Sequence, residues 1–205
     1  AITIQAVDGG LVENIVVDSL RSINTGNPIY LVGGERREGR RSRMDNVHIS
    51  NVYAEVPATK PDAGYDYEGP TEDNPRNVSP SGIVGLQDNK IKNVSIENVE
   101  IVYPGGGNPL YAKVGLNELD KVPEMPKAYP EFSQHKELPA WGFYVRHADG
   151  VTFRNVKLTA LKKDYRPAIV LDDVHNGTFT KIKVVEPSAG KKEKIHAYKS
   201  TKIKK

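Results

Sequence analysis

The 205-residue chain contains no cysteine, one tryptophan, two methionines and four phenylalanines. The absence of cysteine excludes disulfide bonds and thiolate metal sites. No apolar run approaches the roughly 18 residues that a membrane-spanning helix needs, so no membrane partner is expected. The first ten residues lack the basic and apolar regions of a secretory signal peptide. What is present, 38% hydrophobic and 27% charged residues, is the composition of a globular domain.

The net charge of +3 comes from the C-terminal end of the chain. The last fifteen residues hold seven Lys and one Glu, so the rest of the chain is mildly acidic. We interpret residues 188–205 as a solvated Lys-rich tail, with recruitment to a polyanion as the alternative. Positive charge confined to a tail, with few aromatic residues, does not favour a nucleic-acid-binding surface.

A six-residue phrase recurs five times along the chain, with apolar residues at its third and sixth positions. Its copies begin at residues 15, 47, 94, 151 and, more weakly, 177. The alternation indicates a strand with one buried face, and the step from the third to the sixth position indicates a bend. A second short strand is predicted before each copy, at residues 2–7, 28–33, 82–86, 142–147 and 167–172.

A repeated strand–corner–strand unit without connecting helices predicts an all-β solenoid, a single-stranded parallel β-helix of about five rungs. We assign residues 1–187 to this domain. Two long loop insertions, residues 55–80 and 103–140, interrupt it. The recurring Asn residues predict two hydrogen-bonded ladders, one of Asn14, Asn46 and Asn93 and one of Asn51, Asn98 and Asn155. The alternative is that each Asn serves its own turn.

Four stretches resemble the C-terminal half of bacterial polygalacturonase-like enzymes, glycoside hydrolase family 28. They read VDGGLVENIVV, SGIVGLQDNKIKNVSIENVEIVYPGGG, VPEMPKAYPEFSQHKELPAWGFYVRHADGVTFRNVKL and RPAIVLDDV. The resemblance implies a right-handed parallel β-helix with a pectin-binding groove along one parallel sheet. It also implies hydrolysis with inversion by Asp carboxylates, which requires two carboxyl groups roughly 6.5–9.5 Å apart.

The chain departs from the family at the catalytic motifs. It has no Asn-Thr-Asp and no Gly-His-Gly, and Thr3-Ile4-Gln5 stands where the family commonly has Arg-Ile-Lys. The resemblance therefore implies the C-terminal portion of a larger, secreted or periplasmic hydrolase, which supplies the distal groove for pectin or an oligogalacturonide. We expect either a missing N-terminal portion or a homo-oligomer to cover the first strands. The alternative is a non-catalytic β-helix that binds carbohydrate or acts as a scaffold.

Tyr144 and Arg146 are the first candidates for substrate binding, because they share one face of a predicted groove strand. If Val145 points into the core, Arg146 faces solvent and can bind a sugar carboxylate, while Tyr144 stacks on a sugar ring. The alternative is an Arg paired with an acid on the next rung, such as Asp172. His147 is interpreted as a hydrogen-bonded structural residue near a turn.

The remaining candidates are charged residues on loops and corners. Arg36 and Arg37, in the basic stretch GGERREGRR, are either outer subsites or part of a solvated loop. Asp172 and Asp173 are adjacent carboxylates, interpreted as a structural corner pair, with a second catalytic site as the alternative. No His, Asp or Glu cluster has metal-ligand spacing, so neither a metal nor another cofactor is expected.

Overall fold

The computed structural model describes residues 1–59, 79–109, 114–128, 138–187 and 193–205. These residues form an all-β fold in which the strands of one sheet pair in parallel. The strands are β1 (Ile2–Ala6), β2 (Leu11–Ile23), β3 (Ile29–Gly33), β4 (Arg43–Glu55), β5 (Ser81–Val84), β6 (Ile91–Tyr103), β7 (Phe143–Ala160), β8 (Ile169–His175), β9 (Thr178–Val185) and β10 (Ile195–Tyr198). A 3₁₀ turn at Leu119–Lys121 is the one helical segment in these ranges. Within the same ranges, no helix has the length and apolar character to cross a membrane.

The strands fall into two rows, because β7 pairs with different neighbours along its length. The first row contains β1, β3, β5, residues 143–149 of β7, β8 and β10. The second row contains β2, β4, β6, residues 151–160 of β7, and β9. Val47 pairs with Val94, which in turn pairs with Val151. The register between neighbouring repeat units, predicted from the aligned phrases, is therefore confirmed.

The inward-facing positions of both rows form one apolar core. In the first row Leu31, Ile83, Val145 and Leu171 occupy equivalent positions and are fully buried. In the second row the ring of Phe153 lies 4.8 Å from that of Phe143 and 5.2 Å from that of Phe179. Full burial of an apolar side chain of this size contributes about 1.5–3 kcal/mol relative to exposure.

Asn residues occupy one line of bends in the second row. Asn51, Asn98 and Asn155 all have left-handed backbone, with φ between 53° and 55°, a conformation that Asn adopts more readily than most residues. Nδ2 of Asn98 donates to Oδ1 of Asn51 at 3.2 Å, and Nδ2 of Asn155 donates to Oδ1 of Asn98 at 2.9 Å. This predicted ladder is confirmed.

The other predicted ladder, of Asn14, Asn46 and Asn93, is confirmed for its first pair and wrong for its second. Asn46 donates to Oδ1 of Asn14 at 2.7 Å, but Asn93 donates to Oδ1 of Asp45 at 2.8 Å. A carboxylate is the stronger acceptor, so Asp45 displaces the amide of Asn46 as the partner. The next unit has Gly150 at this bend, where a Cβ would lie 2.7 Å from Oδ1 of Asn93.

The last described residues, 193–205, continue the sheet instead of forming the solvated tail that their lysines suggest. β10 pairs in parallel with β8, with Ile195 opposite Ile169, and isolated bridges continue the pairing as far as Lys204. Ile195 is buried and Ile203 packs against the core. Apolar side chains therefore anchor this Lys-rich segment to the preceding unit.

β1 and β2 lie at the two ends of the strand order, and each pairs with one described strand. β2 exposes the apolar side chains of Leu11, Val16 and Ile23. The expectation that further polypeptide or a second copy covers these strands stays a prediction.

Candidate functional site

The outer face of the first row is covered by the second insertion. Described parts of that insertion, residues 114–128 and 138–140, pack on the strands and form an apolar cluster separate from the core. Its members are Leu119, Val122, Leu138 and Ala140 from the insertion and Val7, Tyr30, Val32, Val84, Tyr144 and Val170 from the strand side. The strands that the sequence singled out for a substrate groove therefore lie beneath the insertion. The first insertion falls largely on residues 60–78, outside the described residues.

Arg146 is 3% exposed, so the expectation that it faces solvent is wrong. Its Nη1 donates to the backbone oxygen of Val122 at 2.7 Å, and its Nη2 lies 3.1 Å from Oε1 of Glu124. Its Nε lies 3.0 Å from Oδ2 of Asp172 in a contact that is an ion pair without a well-directed hydrogen bond. The insertion supplies carbonyl and carboxylate oxygens that replace water around the guanidinium. These contacts offset the free-energy cost of removing the charge from water.

Tyr144 is also buried, and its hydroxyl donates to Oδ2 of Asp172 at 2.8 Å. Burial and the neighbouring carboxylate raise the pKa of Tyr144, so the phenol keeps its proton. Burial raises the pKa of Asp172 as well, although Tyr144 and Arg146 act in the opposite direction. These three side chains bind one another under the insertion, and a sugar would have to displace the insertion to reach them.

Asp173 follows at a bend with φ 55°, and its carboxylate meets a different set of partners. Oδ2 lies 2.7 Å from Nδ1 of His147, and Oδ1 lies 2.9 Å from Nε2 of His175. Lys90 forms a hydrogen-bonded ion pair with the same carboxylate. Partial burial acts to raise the pKa of Asp173, but the hydrogen bonds from Lys90 and His147 outweigh it and hold the pKa below its ordinary value.

Glu124 connects the insertion to both parts of this network. Its Oε1 lies 2.7 Å from Nε2 of His147 and 3.1 Å from Nη2 of Arg146. Burial acts to raise the pKa of Glu124, but the hydrogen bond and charge of His147 and the charge of Arg146 outweigh it and lower the pKa. Charged groups thus fasten the insertion to the first row alongside the apolar contacts.

Asp172 and Asp173 have pKa values that shift in opposite directions, as the two carboxyl groups of an acid–base pair often do. Glycoside hydrolysis also requires that both groups reach the glycosidic bond. Asp172 is 2% exposed and bound by Tyr144 and Arg146. This geometry favours the structural corner over the second catalytic site.

Arg36 and Arg37 lie on the exposed turn between β3 and β4. Nε of Arg36 lies 3.5 Å from Oδ1 of Asp8, and Arg37 is exposed on the same turn. The backbone nitrogen of Glu35 donates to the oxygen of Pro126 at 2.8 Å, which ties this turn to the insertion. The assignment of the two arginines to outer subsites stays a prediction.

An open groove of about 440 Å³ lies on the outer face of the second row. It follows the ladder of Asn51, Asn98 and Asn155 and is lined by the residue two positions after each bend. Those residues are Tyr53, Glu100, Lys157 and Lys183, which are aligned across β4, β6, β7 and β9. Sequence reasoning missed them because it ended the repeat at the sixth position of the phrase. The seventh position would have shown this polar column.

No group of three or more His, Asp or Glu side chains suited to a metal ion occurs among the residues that the structure describes. Comparisons with family models, with curated proteins and with solved structures found no match to this chain.

Proposed function

We propose that the chain is a right-handed parallel β-helix and the polysaccharide-binding portion of a polygalacturonase-like hydrolase that acts on pectin. In this proposal the chain binds the acidic polymer and does not by itself cleave it. The proposed location is outside the cytoplasm, where pectic polymers occur.

The observation that supports this proposal is the register of the parallel strands. Each repeat unit places the same position directly beside its equivalent in the next unit, as Val47, Val94 and Val151 show. Neighbouring strands lie about 4.8 Å apart, so a side-chain position recurs at that interval across the surface. A surface with a short repeat suits a linear polymer, because one kind of contact can be made by several successive sugar units.

We propose binding without cleavage because the carboxylates of Asp172 and Asp173 are both engaged by other protein groups. Asp172 is buried beneath the insertion. The carboxylate of Asp173 accepts hydrogen bonds from Lys90, His147 and His175. An inverting hydrolase needs one carboxyl group free to protonate the leaving oxygen and another free to activate water. Neither aspartate is free for either role.

A second candidate function is a scaffold that binds no carbohydrate. The covered outer face of the first row favours it, since the insertion occupies the strands on which the resemblance places the family's groove. The two functions differ in one measurable property, the affinity for pectic polymer.

Isothermal titration calorimetry of the chain with a polygalacturonate oligomer, and with neutral dextrin as the control, tests the proposal. We expect binding of the acidic oligomer, weaker or no binding of dextrin, and no release of reducing ends from polygalacturonate. The absence of any affinity for the acidic oligomer would support the scaffold instead. Sustained release of reducing ends would contradict the conclusion that Asp172 and Asp173 are not catalytic.

A further inference from the structure

We infer that the groove on the outer face of the second row is a binding site for a linear acidic polysaccharide. The inference rests on the proposed function and assigns its ligand to a surface different from the covered first row. Four observations carry it: the shape of the groove, its charge, a fixed aromatic ring and unused amide groups.

The groove runs across the strands, and one side chain from each unit lines it. Tyr53, Glu100, Lys157 and Lys183 are aligned in register on four neighbouring strands. At about 4.8 Å per strand, the distance from the Tyr53 position to the Lys183 position is roughly 15 Å. The groove therefore suits an extended chain of several sugar units better than a compact small molecule.

The groove is positively charged at the end formed by β7 and β9. Lys157, Lys181 and Lys183 line it, against one carboxylate, that of Glu100. The ammonium group of Lys157 donates to Oε1 of Glu100 at 2.6 Å, whereas the ammonium groups of Lys181 and Lys183 have no hydrogen bond or ion pair with the described residues. Two ammonium groups that have no partner among the described residues, on the wall of a groove, favour a ligand that carries carboxylates.

Tyr53 provides an aromatic ring at the other end of the groove. Its hydroxyl donates to Oε1 of Glu55 at 2.6 Å, and the guanidinium carbon of Arg21 lies 4.7 Å from the ring centroid. The hydrogen bond to Glu55 raises the pKa of Tyr53, so the ring stays uncharged. These contacts hold the ring in place before a ligand arrives, which reduces the entropy lost when a sugar ring packs on it.

The Asn ladder forms a polar wall of the groove. Each amide has two N–H donors and an oxygen with two lone pairs, and the ladder uses one donor of Asn98 and one of Asn155. Both side chains are exposed and line the groove. Their remaining donors and acceptors match the hydroxyl groups of a saccharide.

A single-stranded nucleic acid fits the groove less well. Sequence-tolerant binding of single strands relies on several aromatic rings that stack on successive bases. Among the described residues, Tyr53 is the one aromatic residue that lines this groove. A ligand with uncharged hydroxyls between its carboxylates corresponds better to the amide wall and to Lys181 and Lys183, which have no side-chain partner in the part of the chain that the structure describes.

The test is the affinity of the full chain for a polygalacturonate oligomer, measured by calorimetry in wild type and in two variants. The first variant, Lys157→Gln/Lys181→Gln/Lys183→Gln, should bind roughly tenfold more weakly, because each of the three charge contacts strengthens binding by about twofold. The second, Tyr53→Ala, should bind several-fold more weakly. Lys163→Gln is the control for charge, since Lys163 is exposed on the loop after β7 and does not line the groove.

The outcomes separate the two proposals. If wild type binds the oligomer and both variants bind as tightly as Lys163→Gln, the groove is not the site, although the proposed function survives. If wild type does not bind the oligomer, the proposed function fails and the groove assignment fails with it. Equal affinity for single-stranded DNA of the same charge would also overturn the assignment, because it would reveal a general polyanion surface. Circular dichroism of each variant confirms that the fold is kept.

Discussion

The outer faces of the two rows differ sharply, although both are built from the same repeat units. On the first row, Arg146, Asp172 and His147 are buried beneath the insertion, and their polar atoms meet other protein groups. On the second row, Lys181 and Lys183 are exposed along an open groove. The same register therefore produces a sealed polar network on one side and an accessible polar column on the other.

The difference shows that a polar residue on an outward strand position is not by itself a sign of a binding site. An insertion that crosses the face converts such residues into structural contacts, and it must supply partners for each charge. On the second row, where no described part of an insertion crosses, Lys181 and Lys183 keep ammonium groups without a partner among the described residues. The position of the insertions, more than the residue types, thus distinguishes stability from binding in this fold.

The largest expected effect comes from removing the charge at the centre of the sealed network. Arg146→Met would leave the carboxylate of Asp172 buried without its ion pair and the backbone oxygen of Val122 without its donor. Breaking a buried pair from one side costs about 3–5 kcal/mol of unfolding free energy. Urea denaturation followed by circular dichroism measures this loss.

Arg154→Met is the matched control on the open face. Arg154 pairs with Glu97, but its side chain is 60% exposed, and exposed ion pairs contribute about 0–1 kcal/mol. We expect the two variants to differ by at least about 2 kcal/mol. Equal losses would show that the ion pairs of the covered face are no more important for stability than those of the open face.

A smaller effect is expected in the Asn ladder between the units. Asn98→Ala loses two ladder hydrogen bonds and also places Ala at φ 53°, which it tolerates poorly. We expect a loss of about 2 kcal/mol for Asn98→Ala and about 1 kcal/mol for Asn98→Gly, because Gly adopts the left-handed conformation without strain. Thermal and urea unfolding of both variants measure the two losses. If both substitutions cost the same, backbone conformation is not what selects Asn at this bend.

Much of the strand pairing could be predicted from the sequence, because the apolar positions of the phrase identify one buried face. The register of Val47, Val94 and Val151 follows from that pattern alone, as does the ladder through Asn98. The weak copy at residue 177 also pairs as aligned, with Ile182 opposite Val156.

The environment of Arg146 could not be predicted, because alternation along a strand shows which side chains point outward but not what covers them. The contacts from Val122 and Glu124 arise from an insertion without a periodic pattern. The pairing of Ile195 was missed for another reason: the many lysines around it obscured a four-residue strand. Exposed lysines are compatible with a terminal strand, provided that apolar residues anchor its inner face.

The most direct test of the account is to map the binding surface by the amide chemical-shift changes of the isotope-labelled chain during titration with a polygalacturonate oligomer. We expect the largest shifts on the second row, near Tyr53, Asn98 and Lys157, and little change at amides near Arg146 and Asp172. Shifts concentrated on the first row and its insertion would contradict the assignment of the ligand to the second row, because they would place it on the face that the insertion covers.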